Sequence, residues 1–281
     1  MGSLVTLWGI DGLDGYNPSN PVRDAGGPVV YVRVEPREVE FTAQSTPFRP
    51  DGIDQWTIDP SLPVLHLEDP AVTMVDSRFV LGGISVEQRA DGGAVWRQRF
   101  LQGRSLQELH EFAEGPDFMK DVRLIEYDDG IIGVFTRPWG PETDRAQIGY
   151  TEIARLEDLT AETLAAAPRL ETQPIQGQWW GANTLYDLGG GCVGVLGHMA
   201  RLSPQGRHYH AITFVFDRHR REIVRGPRVI ATRSSFPQGP ARAPDLEDVV
   251  FPSWIDRDRG LLYCGLSDAR IGVVPIEDPF V

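Results

Sequence analysis

The sequence predicts an all-β fold, a five-bladed β-propeller with a central polar cavity, on two observations. The first is a recurrence. An acidic or amide residue, an apolar run, a Gly-rich turn and a second apolar run return at 9–17 (GIDGLDGYN), 67–86 (LEDPAVTMVDSRFVLGGISV), 119–137 (MKDVRLIEYDDGIIGVFTR), 180–198 (WGANTLYDLGGGCVGVLGH) and 246–268 (LEDVVFPSWIDRDRGLLYCGLSD). With Asp11, Asp69, Asp121, Asn183 and Asp248 as anchors the spacings are 58, 52, 62 and 65 residues, close to one fifth of the 281-residue chain, and a propeller repeats one small sheet per such interval. The second is composition: 30 Gly and 22 Pro interrupt short apolar runs at the frequency of turns. Blades of a propeller surround one axis, so polar anchors far apart in sequence would meet in one pocket.

Strands are expected at 29–34, 64–67, 79–86, 95–100, 131–136, 148–153, 192–196, 208–216, 228–232, 261–266 and 271–276, each a β-branched or apolar run bounded by turn residues. One stretch, 156–167 (LEDLTAETLAAA), has the Ala and Leu spacing of a short helix and would connect or cover blades. No linker or low-complexity tract divides the chain, so a single domain over 1–281 is expected. A sandwich or irregular barrel is the competing arrangement for Gly-rich strands.

Charge narrows the partners. Forty Asp and Glu against 27 Lys and Arg give a net charge of -13, which repels nucleic-acid phosphates and anionic lipid. No apolar stretch approaches the roughly 20 residues of a membrane span, and the N-terminus has no charged n-region, so a cytoplasmic location is expected. The opening MGSLVT fits the loose myristoylation pattern in form only. Cys192 and Cys264 lie in apolar strand patterns, as buried thiols rather than a disulfide or a zinc signature. His208 and His210 share a strand face but lack a third ligand, and no metal is expected. A homo-oligomer remains open.

Lys120 is the only lysine; the other 26 basic residues are Arg. It stands beside the anchor Asp121 in MKDVR, where a compact ammonium can meet a sugar hydroxyl or phosphate oxygen that an Arg fork cannot. An ion pair on the surface is the plainer alternative.

A set of motifs then recurs in order: Asn17 in GYN, Glu68-Asp69-Pro70, GPDFMKDVRL, GVFTRPWG, WWGAN, GVLGHMA, RSSFPQGPARAPDLEDVVF, LYCGLSDA and IEDPF. From about Asp14 to Phe280 the chain resembles the domain-of-unknown-function 1861 family, which is linked to β-1,2-mannooligosaccharide phosphorylases and dual mannosyltransferase/phosphorylases. The resemblance implies a five-bladed propeller that acts on β-mannosides with inversion at the anomeric carbon. Its partners would be an oligosaccharide and inorganic phosphate, the latter a co-substrate, with no cofactor. The stretches YNPSNPV, VEPREVEFTAQSTPF and ARAPDL depart from the family pattern and bear on donor or acceptor specificity.

Inverting phosphorolysis needs one protonated carboxyl on the leaving oxygen, with phosphate on the opposite ring face in place of an activated water. Asp69 is the expected acid, because Pro70 interrupts ladder pairing beside it and frees the side chain to face the cavity. Its proton would pass directly or through a sugar hydroxyl. Arg137, His198, Lys120 and Arg123 are candidates for phosphate, with Arg242 a weaker one. Asn17, Asp121, Asn183, Asp248 and Asp268 are candidates for sugar hydroxyls, and Tyr16, Trp139, Trp179 and Trp180 for stacking on a sugar ring. Turn capping for the acids and packing between blades for the tryptophans are the structural alternatives. A hydrolase of the same fold would need a second carboxylate to activate water, and a glycan-binding propeller would need no acid at all.

Overall fold

Strands form where β-branched and aromatic runs lie between turn residues, and their hydrogen-bond register defines the architecture. In the computed structural model, which describes residues 1–39, 41–138, 146–171 and 177–281, the chain is all-β. The first sheet pairs Asp14–Tyr16, Gly27–Glu35, Gln44–Asp51 and Gln55–Ile58 antiparallel, with Val22–Asp24 added to the second of these and Thr6–Trp8 running parallel to the last. A second sheet is a four-strand meander of Glu68–Val75, Arg78–Gln88, Ala94–Gly103 and His110–Glu114, and a third has Arg123–Glu126, Ile132–Thr136 and Gly149–Ile153.

The remaining strands form one eight-stranded sheet. It contains two antiparallel meanders. Gln178–Asp187, Cys192–Ser203, Gly206–Asp217 and Glu222–Ala231 make one; Asp248–Asp256, Leu261–Leu266, Arg270–Pro275 and the N-terminal Ser3–Leu4 make the other. Parallel pairing of His208 with Asp248 and of Tyr209 with Val249 joins them. The described residues therefore form four hydrogen-bonded sheets where the recurrence predicts five, because this short parallel junction merges the last two repeats.

Aromatic clusters fill the spaces between sheets. Phe135, Tyr150, Trp180, Phe214 and Phe216 pack where the third sheet meets the fourth. Trp254 stacks on Tyr263 at 4.0 Å between ring centroids and lies 5.7 Å from Trp56, where the last meander meets the first sheet. Two sequence expectations change here. The stretch 64–67 makes only an isolated bridge through Leu65, the strand itself starting at Glu68. The helix expected at 156–167 shortens to a 3-10 turn, Leu156–Asp158, and one α-helical turn, Ala161–Ala165, capped by Thr160, whose hydroxyl accepts from the Thr163 N–H. Leu156, Leu159 and Leu164 are buried, so packing sets this connector and propensity extends it little further. Cys264 is buried, Cys192 half-buried, and both are free thiols. No helix among the described residues is long and apolar enough to cross a membrane.

Candidate active site

Four of the candidate site residues share an uncommon backbone. Asn17, Asp69, Asp121 and Asp268 have φ of 45°, 47°, 54° and 49°, the left-handed region that Asn and Asp tolerate better than other side-chain-bearing residues. Asp69 also lies in a register shift between Glu68 and Ala71, and Asn183 in one between Ala182 and Thr184. A bulge with a left-handed residue takes a side chain out of the strand's regular alternation and re-aims it. Here Asp69, at such a bulge, and Asn17 and Asp268, on left-handed backbone alone, line a cavity of about 250 Å³, which Arg33, Glu68, Lys120, Arg137, Arg207, Tyr209 and Phe251 also line.

One wall of this cavity is acidic and tightly held. Asn17 Nδ2 donates to Asp69 Oδ1 at 2.8 Å, and Arg33 Nη1 reaches the same oxygen at 3.3 Å. Arg33 Nη1 also lies 3.0 Å from Glu68 Oε2. Burial pushes the Glu68 carboxyl above its ordinary range and Asp268 up to about 6, with Arg33 opposing the shift in both cases.

Cations line the same cavity. Lys120 and Arg137 are brought side by side because the Lys120 N–H meets the Arg137 carbonyl at 3.5 Å and Met119 bridges Pro138. Arg137 follows the strand Ile132–Thr136 and is 1 % exposed. Its Nε donates to Asp121 Oδ2 at 2.7 Å. Asp121 is itself buried, yet Arg137, Lys120 and Arg123 hold its carboxyl well below the usual range. Burial and the neighbouring Arg137 lower the Lys120 ammonium.

The remaining predicted residues occupy other layers. Arg123 and His198, expected at phosphate, stand behind the cavity wall. Arg123 donates from Nε to the Asn183 carbonyl at 2.7 Å and from Nη1 to the Val122 carbonyl at 3.0 Å; with Asn183 it lines a separate cavity of about 60 Å³. His198 donates from Nδ1 to Asn183 Oδ1 at 2.8 Å, and its buried Nε2 has no hydrogen-bond partner among the described residues. Burial, then Arg137, pushes its pKa well below the usual histidine value, so the ring is neutral and Nε2 keeps its lone pair. Asn183 and Asp121 therefore support the cationic wall from behind, and a direct sugar contact is not what their placement provides.

Asp248 is absent from the cavity lining, which its neighbour Val249 joins. Its Oδ2 accepts from His208 Nδ1 at 2.6 Å, and His208 Nε2 is 2.6 Å from the Ser203 hydroxyl, which also accepts from the Gln205 N–H at 3.1 Å. This chain of contacts ties the hairpin Cys192–Ser203/Gly206–Asp217 to the last meander. Asp11, taken as the first anchor, is exposed in a turn; Asn17 and Arg33 are the residues from the first sheet's segment that reach the cavity.

Trp180 packs in the core against Phe214, whereas Trp179 lines a second cavity of about 460 Å³. Successive strand residues face opposite ways, so the two cannot both stack on one ligand. Trp96, Ile84, Val86, Leu202 and Tyr209 complete that outer cavity, which shares Glu68, Lys120, Arg207 and Tyr209 with the inner one. Tyr16 is fully buried and bonded to Glu35. Arg242 bonds the Tyr16 hydroxyl at 3.2 Å and Glu35, away from the cavity lining. Trp139 lies outside the described residues. His208 and His210 join no metal-binding group, since no cluster of three or more His, Cys, Asp or Glu is placed to hold one among the described residues.

Sequence reasoning missed Arg33, Glu35, Arg207 and Tyr209. Arg207 Nε pairs with Asp245 Oδ2 at 3.3 Å, and Tyr209 stacks on His198 at 5.5 Å. Their sequence contexts, YVRVE and RHYH, look like ordinary alternating strand; only the sheet assembly turns them inward.

The profile of a family described as a protein of unknown function, DUF1861, matches residues 1–281. A comparison with curated protein sequences finds no match. Among solved structures, MPT-4, a mannose phosphorylase from Leishmania mexicana in complex with phosphate ion, is 34 % identical with a TM-score of 0.92, covering 100 % of this chain and 89 % of that one. MPT-1, a GDP-Man-dependent mannosyltransferase from the same organism, is 29 % identical with a TM-score of 0.91, covering 100 % and 90 %. A structure from work on the GH130 family of mannoside phosphorylases, which contains hydrolases of β-1,2-mannosidic linkages, shares the fold at 15 % identity and a TM-score of 0.60, covering 95 % and 87 %.

Proposed function

The chain belongs to the DUF1861 family, and we propose that it is an inverting mannoside phosphorylase that releases mannose 1-phosphate from β-mannosides, β-1,2-linked oligosaccharides foremost. The observation that carries this reading is the convergence of cations and carboxyls on the inner cavity. Lys120 and Arg137 line about 250 Å³ together with Glu68, Asp69 and Asp268. A glycoside flanked by fixed cations on one side and a carboxyl on the other is arranged for attack by an anion and departure toward an acid. The mannose phosphorylase that is 34 % identical over the whole chain supports the choice of sugar and of phosphate.

In the proposed reaction a phosphate oxygen, held by Arg137 and Lys120, forms a bond to the anomeric carbon as the glycosidic C–O bond breaks. Asp69 supplies the proton that the leaving oxygen takes, directly or through a sugar hydroxyl. The hydrogen bonds from Asn17 and Arg33 both fall on Oδ1, so Oδ2 is the oxygen assigned to carry that proton. Water is not needed, so no second carboxylate acts as base. Asn17 and Asp268 would bind sugar hydroxyls, and Trp179 and Tyr209 offer faces to the rest of the saccharide.

We extend the proposal to the fold: each meander of the eight-stranded sheet is one blade, giving five blades in a single domain over 1–281, acting in the cytoplasm without a cofactor. The test is release of mannose 1-phosphate from short β-1,2-mannooligosaccharides with and without inorganic phosphate. Phosphate-dependent release is expected, and Asp69→Asn should lower kcat by at least about 10³-fold while sugar still binds. Free mannose in both reactions would overturn phosphorolysis in favour of hydrolysis. Loss of turnover in Asp268→Asn with Asp69→Asn active would transfer the acid role to Asp268.

A further inference from the structure

Glu35 ends the strand Gly27–Glu35 and is 1 % exposed, yet it lines neither cavity of the site. Its Oε1 accepts from the Tyr16 hydroxyl, from Arg242 Nη1, and from Arg33 Nε at 2.9 Å and Nη2 at 2.8 Å. The third nitrogen of the same guanidinium, Nη1, reaches Glu68 Oε2 at 3.0 Å and Asp69 Oδ1 at 3.3 Å. Arg33 is thus a planar bridge with Glu35 on one edge and the carboxyls of the cavity on the other. A guanidinium holds its five donors in a fixed fork, so fixing one edge fixes the direction of the other. Tyr16 adds a ring face 5.0 Å from the Arg33 guanidinium carbon.

Charge gives this bridge a second consequence. A cation close to a carboxyl favours its ionised form, which works against an acid that has to deliver a proton. Glu35 draws the Arg33 charge toward the far edge, and Arg242 in turn balances Glu35. We propose that Glu35 is a positioning residue for the acid: acting through Arg33, it orients Asp69 and offsets the guanidinium charge that opposes proton transfer. This inference rests on the phosphorylase reading. The charged and titratable groups around the bridge are Tyr16, Arg33 and Arg242 in contact with Glu35, and Glu68, Asp69, Asp268 and Lys120 on the cavity side.

Glu35→Gln keeps the shape and removes the charge. In phosphorolysis assays across pH, the alkaline limb of kcat/KM should move to lower pH by about one unit, since removal of a negative charge near an acid favours loss of its proton. Oligosaccharide KM should change less than about threefold, because Glu35 lines neither cavity. Tyr16→Phe, which removes a donor and no charge near pH 7, should leave the limb in place. An unmoved limb in Glu35→Gln, with the wild type active, overturns the positioning role alone; a wild type that needs no phosphate overturns the phosphorylase reading and this inference with it. Should Glu35→Gln fail to fold, Glu35→Asp carries the test. It keeps the charge and withdraws it by one methylene, so kcat should fall about tenfold at constant oligosaccharide KM, and an unchanged kcat overturns the proposal.

Discussion

Asp268 brings its carboxyl into the cavity from a backbone at φ 49°, and burial pushes it up to about 6 from an ordinary 3.8. The unfolded chain releases this proton near pH 4, whereas the folded chain keeps it until about pH 6. Below that window Asp268 opposes folding not at all; the opposition grows as pH rises through it and is constant above. A shift of about two units corresponds to about 2–3 kcal/mol. Asp268→Asn removes the titration and suits the left-handed backbone. It should therefore stabilise the protein by about 2 kcal/mol at pH 7.5 and by almost nothing at pH 3.5, as read from urea unfolding at both values. An equal change at the two pH values would mean that burial of this carboxyl costs nothing in the folded state. Such a cost, borne at a cavity wall, is the expected signature of a group retained for binding or proton transfer.

Strands set the distances between these groups, and one glycine shows how little slack they leave. Gly181, in the strand Gln178–Asp187, pairs with His198; a Cβ there would lie 2.3 Å from the His198 Cε1 and 2.9 Å from the Arg137 Cδ. Neither buried side chain has room to yield. Gly181→Ala should destabilise the fold by about 1–3 kcal/mol and raise the phosphate KM more than the oligosaccharide KM, because it displaces Arg137 and leaves Asn17 and Asp69 in place. Equal increases would mean that Arg137 is not at the phosphate. The sequence made much of this wall legible: Lys120 and Arg137 were marked by motif and strand end, and Asp69 by the Pro70 that breaks its ladder. It left Arg33, Glu35 and Arg207 hidden, since an Arg in an alternating strand reads the same on either face until the sheets assemble. Trp179 and Trp180 illustrate the same limit, because alternation separates their faces without saying which one meets the cavity. Asp248 stays out of the cavity lining for a different reason: its motif repeats the pattern of the inner strands, but the parallel junction with His208 engages its carboxylate.

Closure of the whole molecule depends on eight residues at the N-terminal end of the chain. Ser3–Leu4 pairs with Arg270–Pro275, Val5 N–H donates to the Ile271 carbonyl at 2.9 Å, and Thr6–Trp8 pairs with Gln55–Ile58. One short segment thus hydrogen-bonds the last meander to the first sheet, and the inner cavity takes its lining from both, Asn17 and Arg33 from one and Val249, Phe251 and Asp268 from the other. The carboxyl wall spans this seam, whereas Lys120 and Arg137 come from the loop and strand end of the third sheet. Removing residues 1–8 would expose two sheet edges and part of the apolar surface around Val5, Trp56 and Ile271, at a cost of about 3–5 kcal/mol, which in a chain of this size lowers Tm by on the order of 10 °C. At temperatures where the truncated chain remains folded, affinity for the oligosaccharide should fall more than affinity for phosphate, since the seam separates Asn17 and Asp69 from Asp268 and leaves Arg137 beside Lys120. Calorimetric titration of each ligand into the truncated protein distinguishes this outcome from a uniform loss, which would mean that closure holds both walls equally.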